Sequence, residues 1–342
     1  MSVVLRVVSA GPGVTLQDAG RRGYLRYGVT AAGPMDPLAF ATANLAIGRA
    51  HDAPVIEVSL GGVELTVENG DLSVAVAGGA FRLIADGREF SSPAIVRLTP
   101  QTKLTIRAGV EGAWCYVAIG GHLDVAPTLG SVSTHTRSKI GGWQGRALAA
   151  GDRLTVGMPQ TLEPEIARIV APWLVRGEGA IRVVLGPQDD YFTPDQLARF
   201  LRGPWRLSNR GDRMAYILEG APLAHAKGFN IVSDGIAMGA IQVPGNGQPM
   251  VLMADRQPTG GYPKIANVIG VDLGRLAQLR PGAPISFQAV TIEEAVTLRR
   301  NEAAALAASV LREPLIRTDL SSEFLLATNL VGGVSAGDDM VS

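Results

Sequence analysis

The sequence predicts a mainly β protein whose strands close into barrels or sandwiches. First, 42 glycines and 21 prolines are spread along the 342 residues, with short β-branched runs between them. Second, Asn-Gly and Asp-Gly pairs sit between such runs at Asn69-Gly70, Asp86-Gly87 and Asn246-Gly247. Both dipeptides tolerate positive φ, which tight hairpin turns require. Third, helical patterns are few. Many short strands with frequent turns fit a barrel or sandwich better than an α/β fold.

The elements follow in order. MSVVLRVVSAGPGV is apolar, β-branched and broken by Arg6, so it reads as a strand and not as a secretory leader. DPLAFATANLAIG reads as a helix, with Asp36 as N-cap, Pro37 at the first position and Gly48 past the end. ELTV-ENG-DLSVAVAG and FRLIA-DG-REF read as hairpins. WCYVAIGG is a buried run holding the one cysteine, Cys115, which reads as core filler. Prolines and charges interrupt the strand pattern over residues 158–179, and strands resume at IRVVLG, Ile181 to Gly186. TPDQLARFL repeats the cap-and-proline device with Thr193 and Pro194. IQVPG-NG-QPMVLM reads as a third hairpin and IANVIGVDL as a further strand. TIEEAVTLRRNEAAALAASVL opens on a capping box, Thr291 to Glu294, and reads as a helix, followed by a tail that reads as mobile. The division is a β-barrel domain over 1–160, a linker over 161–180, a second barrel over 181–290, and a helix and tail over 291–342.

Composition excludes several classes. Hydrophobic residues make up 46%, so the chain is globular. The 31 basic and 31 acidic residues cancel, which removes any bulk attraction to nucleic acid or an anionic membrane. No apolar run is long enough to cross a bilayer, and a cytoplasmic location is expected. The four histidines are scattered without metal spacing, so no metal site is expected. No phosphate loop, HExxH or GxSxG is present.

Four polar clusters remain. In the first, Gln17, Asp18 and Arg21 stand between glycines. It reads as an anion cradle, with Asp18 orienting the Arg21 fork, or as a structural ion pair. The second, LGSVSTHTRSKIGG, offers the Ser131, Ser133 and Thr134 hydroxyls with Arg137 in a glycine-rich loop. It reads as a phosphate or carboxylate cradle, or as a solvated loop. The third, SNRGDRM, carries Arg210, Asp212 and Arg213 before a strand, where a charged turn is the plainer reading. The fourth, MADRQPTGGYPKIA, places Asp255, Arg256, Gln257, Gly260, Gly261, Tyr262 and Lys264 at the end of a buried strand. Polar groups at strand ends on a rigid scaffold are where sites are built, and glycines let a substrate approach. It is the best site candidate from chemistry alone.

These clusters, with GAIQVPGNGQPMVLM and DLGRLAQLRPG, resemble the allophanate hydrolase subunit 2 family, also called the biotin-dependent carboxyltransferase family. The resemblance runs in order from about residue 5 to residue 290. It implies cyclophilin-like β-barrels. It also implies one of three roles. The favoured one is the C subunit of an ATP-dependent 5-oxoprolinase, which opens a lactam to glutamate. Its partners there are the B subunit, which is allophanate hydrolase subunit 1-like, and the A subunit of the lactam-utilisation type. The alternatives are a biotin-dependent carboxyltransferase and a non-catalytic antikinase regulator. The expected cofactor of the complex is ATP with Mg2+. Biotin is not expected on this chain, because AMGA at 237–240 has glycine where the biotinyl lysine would stand. Lactam opening needs cations and N–H groups around a carboxylate and a growing oxyanion. Asp255, Tyr262 and Lys264 are assigned to catalysis, and Gln17, Asp18, Arg21, Arg213, Gln242, Gln257, Gly260 and Gly261 to substrate. Ser131, Ser133, Thr134 and Arg137 are assigned to the cofactor. Two departures stand out: Ile217 replaces a family arginine, and Pro258 lacks an N–H.

Overall fold

The computed structural model describes residues 2–307 and 311–315. Its first sheet has seven strands, in the order His122–Leu123, Arg153–Gly157, Ser2–Ala10, Val63–Val67, Lys103–Arg107, Arg82–Ala85 and Arg88–Ser91. The first strand alternates as expected, with Val3, Leu5 and Val7 buried. The second sheet, also of seven strands, runs Thr15–Gln17, Val55–Ser59, Trp114–Ile119, Leu72–Gly78, Ala94–Leu98, Ile166–Val170 and Leu311–Pro314. Leu5, Leu65 and Leu104 of one sheet meet Val74, Val96 and Val117 of the other in a shared core.

Strand Trp114–Ile119 is buried on both faces. Cys115, Val117 and Ile119 face the first core, while Trp114, Tyr116 and Ala118 face a second. Helix α1, Pro37–Ala46, lies on that second face, capped by the Asp36 carboxylate on the Ala39 N–H at 3.2 Å. A strand covered on both faces reads as a continuous apolar run, which is why WCYVAI shows no alternation.

The second core belongs also to an eight-stranded sheet, from Pro284–Ile285 through Trp205–Leu207, Ala215–Glu219, Met250–Leu252, Ala240–Gln242, Lys264–Val268 and Ile181–Leu185 to Phe287–Ala289. Its two edge strands are separated in the chain by Ser286 alone, so the sheet curls into a nearly closed barrel. Helix α2, Pro194–Arg202, has its Thr193 cap, and α4, Ile292–Ala307, has its reciprocal Thr291–Glu294 box.

Three local expectations change. The Asn69-Gly70 turn does not make a hairpin: it carries the chain from the first sheet to the second. Val63–Val67 is already paired on both sides, with Ser2–Ala10 and Lys103–Arg107, and has no edge left for Leu72–Gly78. Asp86-Gly87 is the tight hairpin expected, with φ of 50° and 74°, and Asn246-Gly247 closes a wider one. The segment 161–180 is not a free linker, because Ile166–Val170 pairs with Ala94–Leu98 inside the second sheet. Its prolines, Pro164 and Pro172, flank the strand without breaking it. Finally, IANVIGVDL is strand only over Lys264–Val268, and helix α3, Gly270–Ala277, follows. Two glycines in that helix hide it from propensity. The tail beyond residue 315 lies outside the described residues.

Candidate active site

The first two polar clusters form one buried knot. Asp18 does not orient Arg21. Its carboxylate accepts from the Ser131 and Ser133 hydroxyls, each at 2.6 Å, and from the Val132 N–H at 2.7 Å. Arg21 is fully buried and donates to backbone oxygens of Thr128 and Ser133, each at 2.9 Å. Burial holds its pKa below the usual arginine value, with Asp18 opposing. Gln17 donates to Thr15 Oγ1 and accepts from the Gly33 N–H. The Thr134 hydroxyl donates to the Leu16 carbonyl at 2.9 Å. Gly141 and Gly142 are required by contact: a Cβ would stand 2.1 Å from the Ser133 oxygen or 1.9 Å from Thr134 Oγ1.

The loop expected to cradle a cofactor phosphate is therefore not solvated. Ser131, Ser133 and Thr134 are buried, and the two serine hydroxyls already donate to a carboxylate, so they do not fit a phosphate. Arg137 leaves the knot and pairs with Asp212 of the third cluster at 2.8 Å.

That pair stands at a cleft of about 650 Å³ between the two barrels, with Trp114, Arg213, Met214, Tyr216 and Asp255 in its walls. Arg213 is buried under it. Its Nε and Nη2 grip Asp255 in a fork at 3.0 and 2.9 Å. Its Nη1 donates to Glu57, and Nη2 reaches the Gly33 carbonyl at 2.7 Å. Burial disfavours the Arg213 charge, but Asp255 and Glu57 outweigh it and hold the group above its usual value. Glu57 moves up because burial outweighs Arg213 and its hydrogen bonds from Met35 and Tyr116. Arg213 thus joins Asp255 on its own side to Glu57 and Gly33 on the other and ties the barrels together. Sequence reasoning missed Glu57, whose signal was one charge inside the otherwise apolar strand VIEVS.

The opposite end of the fourth cluster makes a separate edge. Lys264 is buried, and its Nζ donates to the half-exposed Asp234 at 2.7 Å. Asp234–Gly235 pairs with Thr259–Gly260 as a small ribbon. Lys264 holds the Asp234 carboxyl below the usual range through this hydrogen bond. Gln242 lies fully buried beneath, and its Nε2 reaches the Tyr262 carbonyl at 3.4 Å, bracing the loop. A Cβ on Gly260 would stand 2.8 Å from that same nitrogen. Tyr262 and Gln257 are exposed beside it. The structure therefore gathers Gln242, Gly260, Gly261, Tyr262 and Lys264, and leaves Asp255 at the joint between the barrels. Sequence reasoning missed Asp234, because an Asp-Gly step signals a turn and the structure uses this one as a strand.

What this edge offers is an ammonium at the end of a rigid strand, held by one surface carboxylate, beside a glycine pair. Such a group can stabilise a growing oxyanion once the carboxylate is drawn aside. Among the described residues no set of acidic, histidine or cysteine side chains forms a metal site, and no helix is long and apolar enough to cross a membrane.

Comparison with known proteins places the architecture. The model of the carboxyltransferase domain, subdomains A and B, matches residues 27–289. The C subunit of 5-oxoprolinase from Haemophilus influenzae is 37% identical over 286 residues, 84% of this chain and 91% of that protein. The Escherichia coli protein of the same name is 37% identical over 302 residues, 87% of this chain and 95% of its own length. Urea amidolyase of Saccharomyces cerevisiae is 28% identical over 88% of this chain but only 17% of that protein. The crystal structure of the K. lactis urea amidolyase superposes with a TM-score of 0.82 at 26% identity, over 90% of this chain and 20% of that one. With most of its length matched, and with relatives similar from end to end, the chain belongs to the carboxyltransferase subdomain A and B family.

Proposed function

We propose that this protein is the C subunit of a 5-oxoprolinase complex and takes part in opening the lactam of 5-oxoproline to L-glutamate. The observation that carries the reading is length as well as identity: the 37% identity extends over 91% and 95% of two proteins of that name. Hydrolysis breaks the lactam C–N bond, adds water, and builds negative charge on the carbonyl oxygen. Lys264 is the group assigned to that oxygen. Tyr262 and Gly261 border the substrate, and Gln242, packed against Gly260, positions the loop. Asp255 and Arg213 serve as positioning residues across the joint. ATP with Mg2+ would supply the driving force in the assembled complex. No residue of this chain is assigned to ATP, since the hydroxyls of the Ser131–Thr134 segment are engaged elsewhere. The partners are the B subunit, an allophanate hydrolase subunit 1-like protein, and the lactam-utilising A subunit.

Reconstitution tests this. ATP-dependent glutamate release requires this chain together with the A and B subunits, and full activity from those two alone refutes the proposal. Lys264→Met lowers kcat about 10²–10³-fold, the loss typical of one oxyanion donor, while the variant still co-purifies with the B subunit. The carboxyltransferase reading draws on the 0.82 superposition with urea amidolyase. The same complex assayed with urea, bicarbonate and a biotin carrier separates it from lactam opening. A pure antikinase role leaves both assays silent.

A further inference from the structure

We propose that a cavity between α1, α4 and the end of strand Met250–Leu252 binds an organic carboxylate bearing an apolar chain, with Arg256 as the carboxylate's partner. Arg256 is the neighbour of Asp255 in sequence and differs from it in every contact. It is only 7% exposed. Its Nε donates to the Ile236 carbonyl at 2.9 Å, and Nη1 makes a long contact of 3.5 Å with the Met253 carbonyl. No carboxylate within salt-bridge distance accompanies it among the described residues, and Nη2 has no hydrogen-bond partner there. Arg213, equally buried, holds two carboxylates. A guanidinium largely withdrawn from water and without a carboxylate of its own favours an anionic partner. Burial pulls Arg256 below the usual arginine value with only the Asp255 charge opposing, and Asp255 is committed to Arg213.

The cavity that Arg256 lines has a volume of about 380 Å³, inside the range of small-molecule sites. Its walls are Pro34, Leu38, Phe40, Met238 and Leu306. Arg22 and Arg299 add charge at its edge, where the single lining acid, Glu302, is tied to Arg299. A guanidinium lining a cavity with apolar walls suits a carboxylate on an apolar body. Arg22 and His51 also line the cavity and could meet a phosphate, but the apolar walls would then stay uncovered, whereas an apolar chain fills them. The α4 wall lies beyond residues 27–289, the part matched by the family model, and Lys264 and Tyr262 do not line the cavity. This site is therefore distinct from the edge assigned to lactam opening.

Octanoate is the probe, titrated into the full chain by calorimetry. Saturable one-site binding is expected. Arg256→Gln weakens it about tenfold or more, the usual range for losing a charge-assisted fork. Leu306→Asp, on a partly buried wall position, weakens it similarly by placing a negative charge in the cavity. Lys264→Met leaves it unchanged. Circular dichroism checks each fold, and if Arg256→Gln fails to fold, Leu306→Asp decides. The inference is overturned if octanoate does not bind, if both cavity variants bind it as wild type does, if Lys264→Met abolishes binding, or if inorganic phosphate displaces octanoate at equal concentration.

Discussion

Arg213 and Arg21 look alike in sequence, each an arginine among glycines and acids, and differ in what burial has done with them. Arg21 ends on backbone carbonyls, whereas Arg213 ends on two carboxylates. Removing Arg213 leaves Glu57 and Asp255 buried without their counter-charge. Arg213→Met is expected to lower stability by about 3–5 kcal/mol at neutral pH. Glu57 adds a pH signature. Its folded pKa is already above the usual value, mainly through burial, and loss of Arg213 removes the main opposing influence. A raised folded value means the contribution is full below the ordinary glutamate pKa and is lost as pH rises through the raised one. The Arg213→Met deficit should therefore be smaller at about pH 5 than at about pH 8, read from urea unfolding at both. An equal deficit at both pH values removes Glu57 from the account.

Helix α3 depends on one side chain more than on its own propensity. Asp272, in its first turn, is fully buried and accepts from the Arg182 N–H at 2.7 Å and the Arg182 guanidinium at 3.0 and 2.6 Å. Burial would raise its pKa, but the Arg182 hydrogen bonds, with Arg275, outweigh burial and hold it below the usual aspartate range. The carboxylate also faces the positive end of the helix. Asp272→Asn should cost about 2–3 kcal/mol near neutrality. The wild-type contribution is full above the ordinary aspartate pKa and is lost as pH falls through the depressed folded value. The gap between variant and wild type should close in strong acid, as thermal melts across that range would record. Nothing in GVDLGRLA marks Asp272 as the anchor. Its partner is Arg182, on the far side of α2 in the sequence, and only the pairing of Lys264–Val268 with Ile181–Leu185 brings the two together.

At the scale of the molecule, the two barrels share a core and a set of cross-bonds. Trp114 Nε1 donates to Tyr216 Oη at 3.0 Å, and Tyr216 donates on to the Ala277 carbonyl at 2.9 Å. Arg280 reaches the Gly112 and Gly109 carbonyls at 2.8 and 2.9 Å. The Asp36 cap of α1 also receives Arg176 and Gln278, at 2.6 and 2.8 Å. A fragment of residues 1–160 would lose strand Ile166–Val170 and leave Trp114 without its Tyr216 and Gln278 partners. That fragment is expected to aggregate or melt without cooperativity, while the whole chain unfolds in one calorimetric transition. A soluble fragment with its own sharp transition would show that the barrels are independent.

The sequence by itself determined the elements whose causes are local. Asp36-Pro37, Thr193-Pro194 and the Thr291–Glu294 box announced three helices, because a cap is satisfied within four residues. Asp86-Gly87 announced its hairpin because two positive φ angles select those residue types. It also marked the MADRQPTGGYPKIA stretch as a place for chemistry. Only the tertiary structure decided how that stretch divides: Asp255 to the joint, Arg256 to a cavity, Lys264 to an edge. It also turned the Ser131–Thr134 segment from an expected cradle into the inside of a knot, and Asn69-Gly70 from a hairpin into a crossing between sheets. The physical reason is the same in each case. A side chain's partner in a β-rich fold is usually supplied by another strand, dozens of residues away, and no local pattern records which strand that is.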